Sequence, residues 1–351
     1  MNFASDNTAG VAPDIMTALA KANEGFVLGY GNDAWTRRAE QRIAEVFNRD
    51  VASFLVTTGT ACNSLAIANF TPPWGAVLCH ENAHIVTDEC GAPEFFGNGI
   101  KLVGLPGDNG KIAAGVLKAA LEKPQWGAPH HVVPSVLSLS QASEAGTIYR
   151  PAEIRELAVI AHAHGLAVHM DGARLANALA RMNAPADEAT WKAGVDVLSF
   201  GATKGGAMAA EAIVFFDKER AAGFDRRRKR GGHLLSKHRF VAVQMEAYLT
   251  DDLWLRVARH ANAMADRLSD KLSAAGIAPV WPVEANEVFA LISRATCDIL
   301  KAKGAAFYER LPDNLPASAA VKPDSVLVRM VTSFATTTAE VDAFVAIASA
   351  R

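Results

Sequence analysis

Two apolar runs that each break into a chemically loaded turn constrain this chain more than anything else in it. The run at 165–170 ends at an acid, in His169-Met170-Asp171-Gly172-Ala173-Arg174. The run at 195–200 ends shortly before a lysine set among small residues, in Ser199-Phe200-Gly201-Ala202-Thr203-Lys204-Gly205-Gly206. Short apolar runs bounded by turn residues read as buried strands. In an α/β sheet, ligands collect at the carboxyl edges of the strands, so Asp171 and Lys204 are expected to face one ligand from different strands. That pair suits an aldehyde cofactor, because the lysine condenses with the carbonyl while the acid keeps a ring nitrogen protonated. The small residues beside Lys204 leave room for a flat ring.

A buried strand expected at 53–57 leads straight into Thr58-Gly59-Thr60-Ala61-Cys62-Asn63 and an apolar helix ending near Phe70. Free N–H groups and the helix dipole make such an N-terminus an anion site, although a plain N-cap by Thr58 or Thr60 satisfies the same letters. His84 follows a short strand at 76–79 and opens a helix expected at 85–91. A lone histidine there is more often a surface or capping residue than a catalyst. Ser5, Asp6 and Asn7 lie in an irregular arm, which by itself reads as a flexible terminus. Gly29-Tyr30-Gly31-Asn32-Asp33 is a turn-rich loop carrying an aromatic hydroxyl.

Taken in order, Ser5-Asp6-Asn7, Tyr30-Gly31-Asn32-Asp33, Thr58 to Asn63, Ala83-His84-Ile85, His169 to Arg174 and Ser199 to Lys204 resemble the low-specificity L-threonine aldolases along nearly the whole chain. These are pyridoxal-phosphate (PLP) enzymes of the aspartate-aminotransferase fold. The resemblance implies an α/β protein of the PLP-dependent transferase fold type I. Its large domain, with a mostly parallel central sheet and the N-terminal arm, would span 1–245, and a smaller α+β C-terminal domain 246–351. It implies that Lys204 carries PLP, that Asp171 and Arg174 contact it, that Thr58, Gly59 and Thr60 hold its phosphate, and that His84 stacks over its ring near the substrate hydroxyl. It sets Ser5 and Asp6 against the amino-acid pocket, Tyr30 toward a neighbouring subunit's site, and Arg174 and Arg329 at the substrate carboxylate. One familiar pattern of the family has a histidine near the ligand in the loop after the strand at 132–139. Here that loop reads Ser140-Gln141-Ala142-Ser143-Glu144-Ala145-Gly146, with Ser143 or Gln141 roughly in that place, a departure that bears on substrate preference.

A chain of 351 residues exceeds the usual single core, so two domains are the default. Half its residues are hydrophobic and its net charge is −2, which gives no global pull toward nucleic acid or membrane. The first residues lack the basic and apolar regions of a secretory signal, and no apolar run is long enough to span a bilayer. A cytoplasmic protein is therefore expected. Cys62, Cys79, Cys90 and Cys297 show neither Cys-x-x-Cys spacing nor the density of a disulfide scaffold, so they read as reduced thiols. Cys79, His80, His84 and Cys90 are metal-capable but lack the tight cysteine pairing of zinc sites, and no metal is expected.

The one dense basic run, Arg226-Arg227-Arg228-Lys229-Arg230, is short and local in a nearly neutral chain, so it reads as a solvated face and not as a nucleic-acid site. The resemblance makes it a loop that meets the cofactor phosphate across a subunit interface, with Lys229 the first choice. Together with Tyr30 it implies sites shared within a homotetramer, a dimer of dimers.

Toward the end of the chain, a helical region from Phe240 to Leu272 leads to a strand-like 282–292, a helix around Ile299, a strand at 325–330 and a helix from Ala339. Arg329 sits in the apolar Val326-Leu327-Val328-Arg329-Met330. An unpaired arginine there would be costly, so it must meet an anion. Either a structural salt bridge serves or, as the resemblance implies, the arginine forks the substrate α-carboxylate.

The implied reaction is retro-aldol cleavage of L-threonine, L-allo-threonine and related L-β-hydroxy-α-amino acids to glycine and an aldehyde, with His84, directly or through a water, as the base. An L-phenylserine aldolase would share the whole mechanism. Another fold-type-I lyase or aminotransferase would share Lys204 and Asp171 but differ in its substrate contacts. A cofactor-free binding protein using the basic run is the rival of a different class, and an absorbance spectrum separates it.

Overall fold

A computed structural model describes residues 1–311, 315–316, 319 and 321–350. Seven strands, β1 (Ala52–Val56), β2 (Gly75–His80), β3 (Lys101–Leu105), β4 (Val133–Ser140), β5 (Ala167–Gly172), β6 (Val197–Gly201) and β7 (Glu211–Phe215), form one sheet in the order β1-β7-β6-β5-β4-β2-β3. The pairings from β3 across to β6 are all parallel, while β7 runs antiparallel between β1 and β6. The connection 202–210 is too short for the helical crossover that a parallel return requires. β7 therefore doubles straight back, and its first residue, Glu211, lands opposite Gly201 at the edge where β6 ends. Every residue of β2, β5, β6 and β7 is buried, as expected of strands covered by helices.

A second, antiparallel sheet is made of β8 (Glu287–Ser293), β9 (Tyr308–Arg310) and β10 (Ser325–Val331), in the order β8-β10-β9. It has its own core, in which Val288 and Val328 meet Leu268, Phe344 and Phe3. The helix Leu253–Ala274 ties the two cores together: Leu253, Trp254 and Ala258 belong to the first, Met264, Leu268 and Leu272 to the second. The helical region expected from Phe240 is not continuous. It breaks between Arg239–Leu249 and Leu253–Ala274, where Asp251 and Asp252 take left-handed φ of 50° and 53°. Asp is one of the few non-glycine residues that tolerate this conformation.

Two further local readings change. The helix expected after His84 is only His84–Thr87, because Cys90 and Gly91 are left-handed and a new helix, Ala92–Phe96, starts with Pro93 in its first turn. The basic run is a helix, Phe224–Arg230, and not a loop. Arginine and lysine are good helix formers, and left-handed Gly223 lets the chain turn into it. The N-terminal arm is tied down: Phe3 N donates to Ala306 O at 2.7 Å, Phe3 O accepts from Val331 N at 2.8 Å, and Ala12 N donates to Gly206 O at 2.8 Å. Among the described residues no helix is long and apolar enough to cross a membrane. All four cysteines are free.

Candidate active site

The carboxyl ends of β1, β2, β4, β5 and β6, together with the start of β7, meet around one cavity of about 520 Å³, and the arm covers it from 6 to 11. That volume lies within the range that small-molecule sites occupy. Asp171 and Lys204 both line it.

Asp171 is the penultimate residue of β5, opposite Ser140 of β4 and Ser199 of β6. Its Oδ1 accepts from Ala173 N at 3.0 Å and its Oδ2 from Asn63 Nδ2 at 2.9 Å. Burial alone would raise its pKa, but Lys204, His84 and the Ala173 amide hold it below the usual value. The group is thus a fixed anion. Two residues back on the same face, His169 is wholly buried between Ser138 Oγ and Ser199 Oγ, each 2.9 Å away, and burial drives its pKa down to about 4. It is a neutral strut joining β4, β5 and β6.

His84 stands just beyond β2 at the cavity wall, its Nδ1 2.9 Å from Glu89 Oε1. The same Glu89 oxygen accepts from Asn63 Nδ2 at 2.8 Å, so one amide clamps Glu89 and Asp171 together. With Nδ1–H held by a carboxylate, Nε2 is the nitrogen that remains for a ligand. The hydrogen bond that His84 donates to the Glu89 carboxylate raises the His84 pKa against the opposing effect of burial.

Lys204 lies in the turn after β6. A Cβ on neighbouring Gly205 would come within 2.6 Å of a Tyr248 ring carbon, so the turn has to press on Tyr248 without a side chain in between. Glu211 lines the cavity beside it, its Oε2 accepting from Ala202 N at 3.1 Å, and burial pushes its carboxyl up to about 7 against the pull of Thr203 and Lys204.

The helix Gly59–Phe70 begins at the cavity, with Thr58 extended as its cap and accepting from Ala61 N at 3.2 Å. The leading amides, those of Gly59 and Thr60, have no helical carbonyl to bond. A Cβ on Gly59 would meet nothing within 4 Å. This corner is open space at a helix N-terminus, which is where a phosphate binds.

The opposite corner is ionic. Arg174 Nε and Nη2 donate to Asp6 Oδ2 and Oδ1 at 2.9 and 3.2 Å, and Asn286 Nδ2 reaches the same carboxylate at 3.1 Å. Burial would raise the Asp6 pKa, but Arg174 and Lys204 bring it down to about 2. Glu287, in β8, lies behind: its Oε1 accepts from Arg329 Nε and Nη2 at 3.0 and 2.6 Å, and its Oε2 is 3.4 Å from Arg174 Nη1. Arg174 and Asp6 line the cavity. Arg329 is set back from it, and the anion it meets is Glu287.

The structure thus brings together Lys204, Asp171, His84, Thr58, Gly59, Thr60, Asp6 and Arg174. Ser5 sits at the edge, its Oγ accepting from Asn7 N at 3.1 Å. Tyr30 and Lys229 lie together away from this chain's cavity, the Lys229 ammonium 4.9 Å from the Tyr30 ring centroid. In the loop after β4, Gln141 pairs with the backbone of Tyr149, and Ser143 with Thr147 and Asn109. Neither faces the cavity. Glu144 does, its carboxyl raised by burial and by Glu287. Sequence reasoning passed over Glu144, Glu211 and Glu287. For the last two the signal was present, since each is an acid at the head of an apolar run.

A model of the beta-eliminating lyase family matches residues 2–295. The low specificity L-threonine aldolase of Pseudomonas aeruginosa is 44% identical over 308 residues, covering 87% of this chain and 88% of that protein. The protein of that name from Saccharomyces cerevisiae is 25% identical over 314 residues, 88% and 78% of the two chains. A solved structure of Leishmania major threonine aldolase superposes with a TM-score of 0.90 at 29% identity over 99% and 98% of the two chains. Sphingomonas wittichii serine palmitoyltransferase, at 15% identity and a TM-score of 0.73 over 99% and 86%, shares the fold.

Proposed function

The chain belongs to the beta-eliminating lyase family, which uses pyridoxal phosphate, and from that premise we propose that its site cleaves L-threonine and related L-β-hydroxy-α-amino acids to glycine and an aldehyde, as a low-specificity L-threonine aldolase. Its architecture is that of the fold-type-I PLP enzymes. The observation that carries the reading is the convergence of Lys204, Asp171 and His84 on one cavity whose far corner is a free helix N-terminus.

The donor set fits the cofactor. Lys204 would meet an aldehyde, Asp171 a ring N–H, the His84 imidazole the ring, and the amides and hydroxyls of Thr58, Gly59 and Thr60 a phosphate. When bound there, pyridoxal phosphate supplies an aldehyde for an amine and a protonated ring that draws off the electron pair freed at the substrate's α-carbon. Asp171, already ionised and clamped by Asn63, is built to keep that ring nitrogen protonated. Arg174, at the wall, takes the substrate carboxylate, with Arg329 held behind it on Glu287 and with Ser5 and Asp6 of the arm on that side. Holding the carboxylate at one end fixes how the substrate is presented, so that the Cα–Cβ bond would be the one placed for cleavage. His84 Nε2 takes the β-hydroxyl proton, directly or through a water.

Glu89 raises the basicity of His84, and the sign of the pH effect follows. The base works in its neutral form, so cleavage rises as pH climbs through the raised His84 pKa. Glu89→Gln removes the charged partner and lets that pKa fall, so the acid limb of kcat/KM should move to lower pH. A limb that stays in place would separate His84 from this proton.

Assaying glycine and acetaldehyde together from L-threonine, L-allo-threonine and their D forms tests the function. Comparable cleavage of the D forms, or no glycine from any of them, sinks it. An L-phenylserine preference would appear in the same assay with that substrate added.

Tyr30 and Lys229 support shared sites in a homotetramer. They lie away from their own chain's cavity, and next to Tyr30 the segment Phe26, Val27 and Leu28 is exposed at 106, 44 and 73%, an apolar patch of the kind that marks an interface. Light scattering at the monomer mass with full activity would remove this assembly. The free cysteines fit a reducing cytoplasm, which cell fractionation checks.

A further inference from the structure

The ionic corner of the cavity is already full. Asp6 occupies the Nε–Nη2 edge of Arg174, and Glu287 takes the matching edge of Arg329 while leaning on Arg174 Nη1. Two guanidinium groups thus face two carboxylates. The corner as it stands has no surplus positive charge to draw in another anion.

The contacts of Glu287 are unequal. Oε1 is bound twice by Arg329, whereas Oε2 makes no hydrogen bond: it is buried and only ion-paired with Arg174 at 3.4 Å. Asp6 is fastened by four hydrogen bonds, two from Arg174 and one each from Asn286 and Ser5 Oγ. The weak link in the cluster is therefore Glu287 Oε2 on Arg174 Nη1, at the arginine that lines the cavity.

We propose that Glu287 is a specificity-determining residue, an internal carboxylate standing guard on the arginine pair that a substrate's α-carboxylate has to replace at Arg174. This rests on the amino-acid reading of the site given above. A simple carboxylate gains only the exchange of one anion for another, so it is turned away. An amino acid also engages the cofactor through its amine, and that second anchor tips the exchange in its favour. Glu287 thus raises the KM of every substrate while excluding bystander carboxylates.

The holoenzyme is tested with L-threonine turnover and with calorimetric titration of propionate, a carboxylate without an amine. Glu287→Gln keeps an oxygen for Arg329 but gives the corner a surplus positive charge. It should lower the KM for L-threonine by about tenfold, within the range a short charge–charge contact contributes near a protein surface, and change kcat much less. Propionate, silent with the wild type, should bind and compete. Glu287→Asp keeps the charge but, one methylene shorter, draws the carboxylate back from Arg174, so it should fold even if the amide does not and should shift both readouts the same way, less far. If propionate binding and KM stay at wild-type values in both variants, or KM rises, Glu287 is only a structural partner for Arg329 and the proposal falls. A wild type that yields no glycine would overturn the aldolase reading while leaving the propionate result to decide on Glu287.

Discussion

Lys204→Ala is expected to abolish L-threonine cleavage, lowering kcat/KM by ~10³-fold or more, equivalent to about 4 kcal/mol at the transition state. Lys204 is the amine that the structure sets on the same cavity as the Asp171 carboxylate, in the turn that follows β6. Its side chain does not build the fold: the turn is shaped by its glycines and by Tyr248 behind it. The variant should therefore keep its melting temperature while losing its chemistry. Borohydride treatment of the wild type should bleach the absorbance near the visible edge and leave the cofactor's mass on the peptide containing residue 204. A label on any other lysine would move the site.

Asp171→Asn is expected to retain the cofactor yet cleave slowly. The amide fits the same space and its one oxygen can still accept from either Asn63 Nδ2 or Ala173 N, but it carries no charge to hold a pyridine proton. The loss of one preorganised charge contact is worth roughly 2–4 kcal/mol, or tens to hundreds of fold in kcat. Because the defect lies in stabilising charge and not in capture, KM should change little. A near-wild-type kcat would mean that the ring nitrogen is not where this carboxylate acts.

The strand ends carrying Asp171 and Lys204 were legible because each is a local event, an apolar run interrupted by one reactive side chain. The helix N-terminus at Thr58 was legible for the same reason. The acids were not. Glu211 reaches the cavity only because β7 inserts backwards between β1 and β6, a matter of strand order that no window of sequence contains. Glu287 matters through Arg329 and Arg174, both far away along the chain. Its partnership with Arg329 was half visible, since the cost of burying an unpaired arginine already demanded an anion. What periodicity cannot supply is which anion. Glu89 stands only five residues after His84 and could be placed near it from the sequence, but its reach to His84 depends on the short helix breaking at Cys90 and Gly91.

The arm that enters the cavity is also a tie rod. Phe3 is hydrogen-bonded to Ala306 and Val331 of the small-sheet side, Asp6 is fastened to Arg174, and Ala12 is bonded to Gly206 just past the lysine turn. The small sheet cannot slide relative to β5 and β6 without dragging the counter-ion of Arg174 along with it. Slack introduced anywhere between Phe3 and Ala12 should thus register first at Arg174, as a changed affinity for the substrate's carboxylate, and only much later as unfolding.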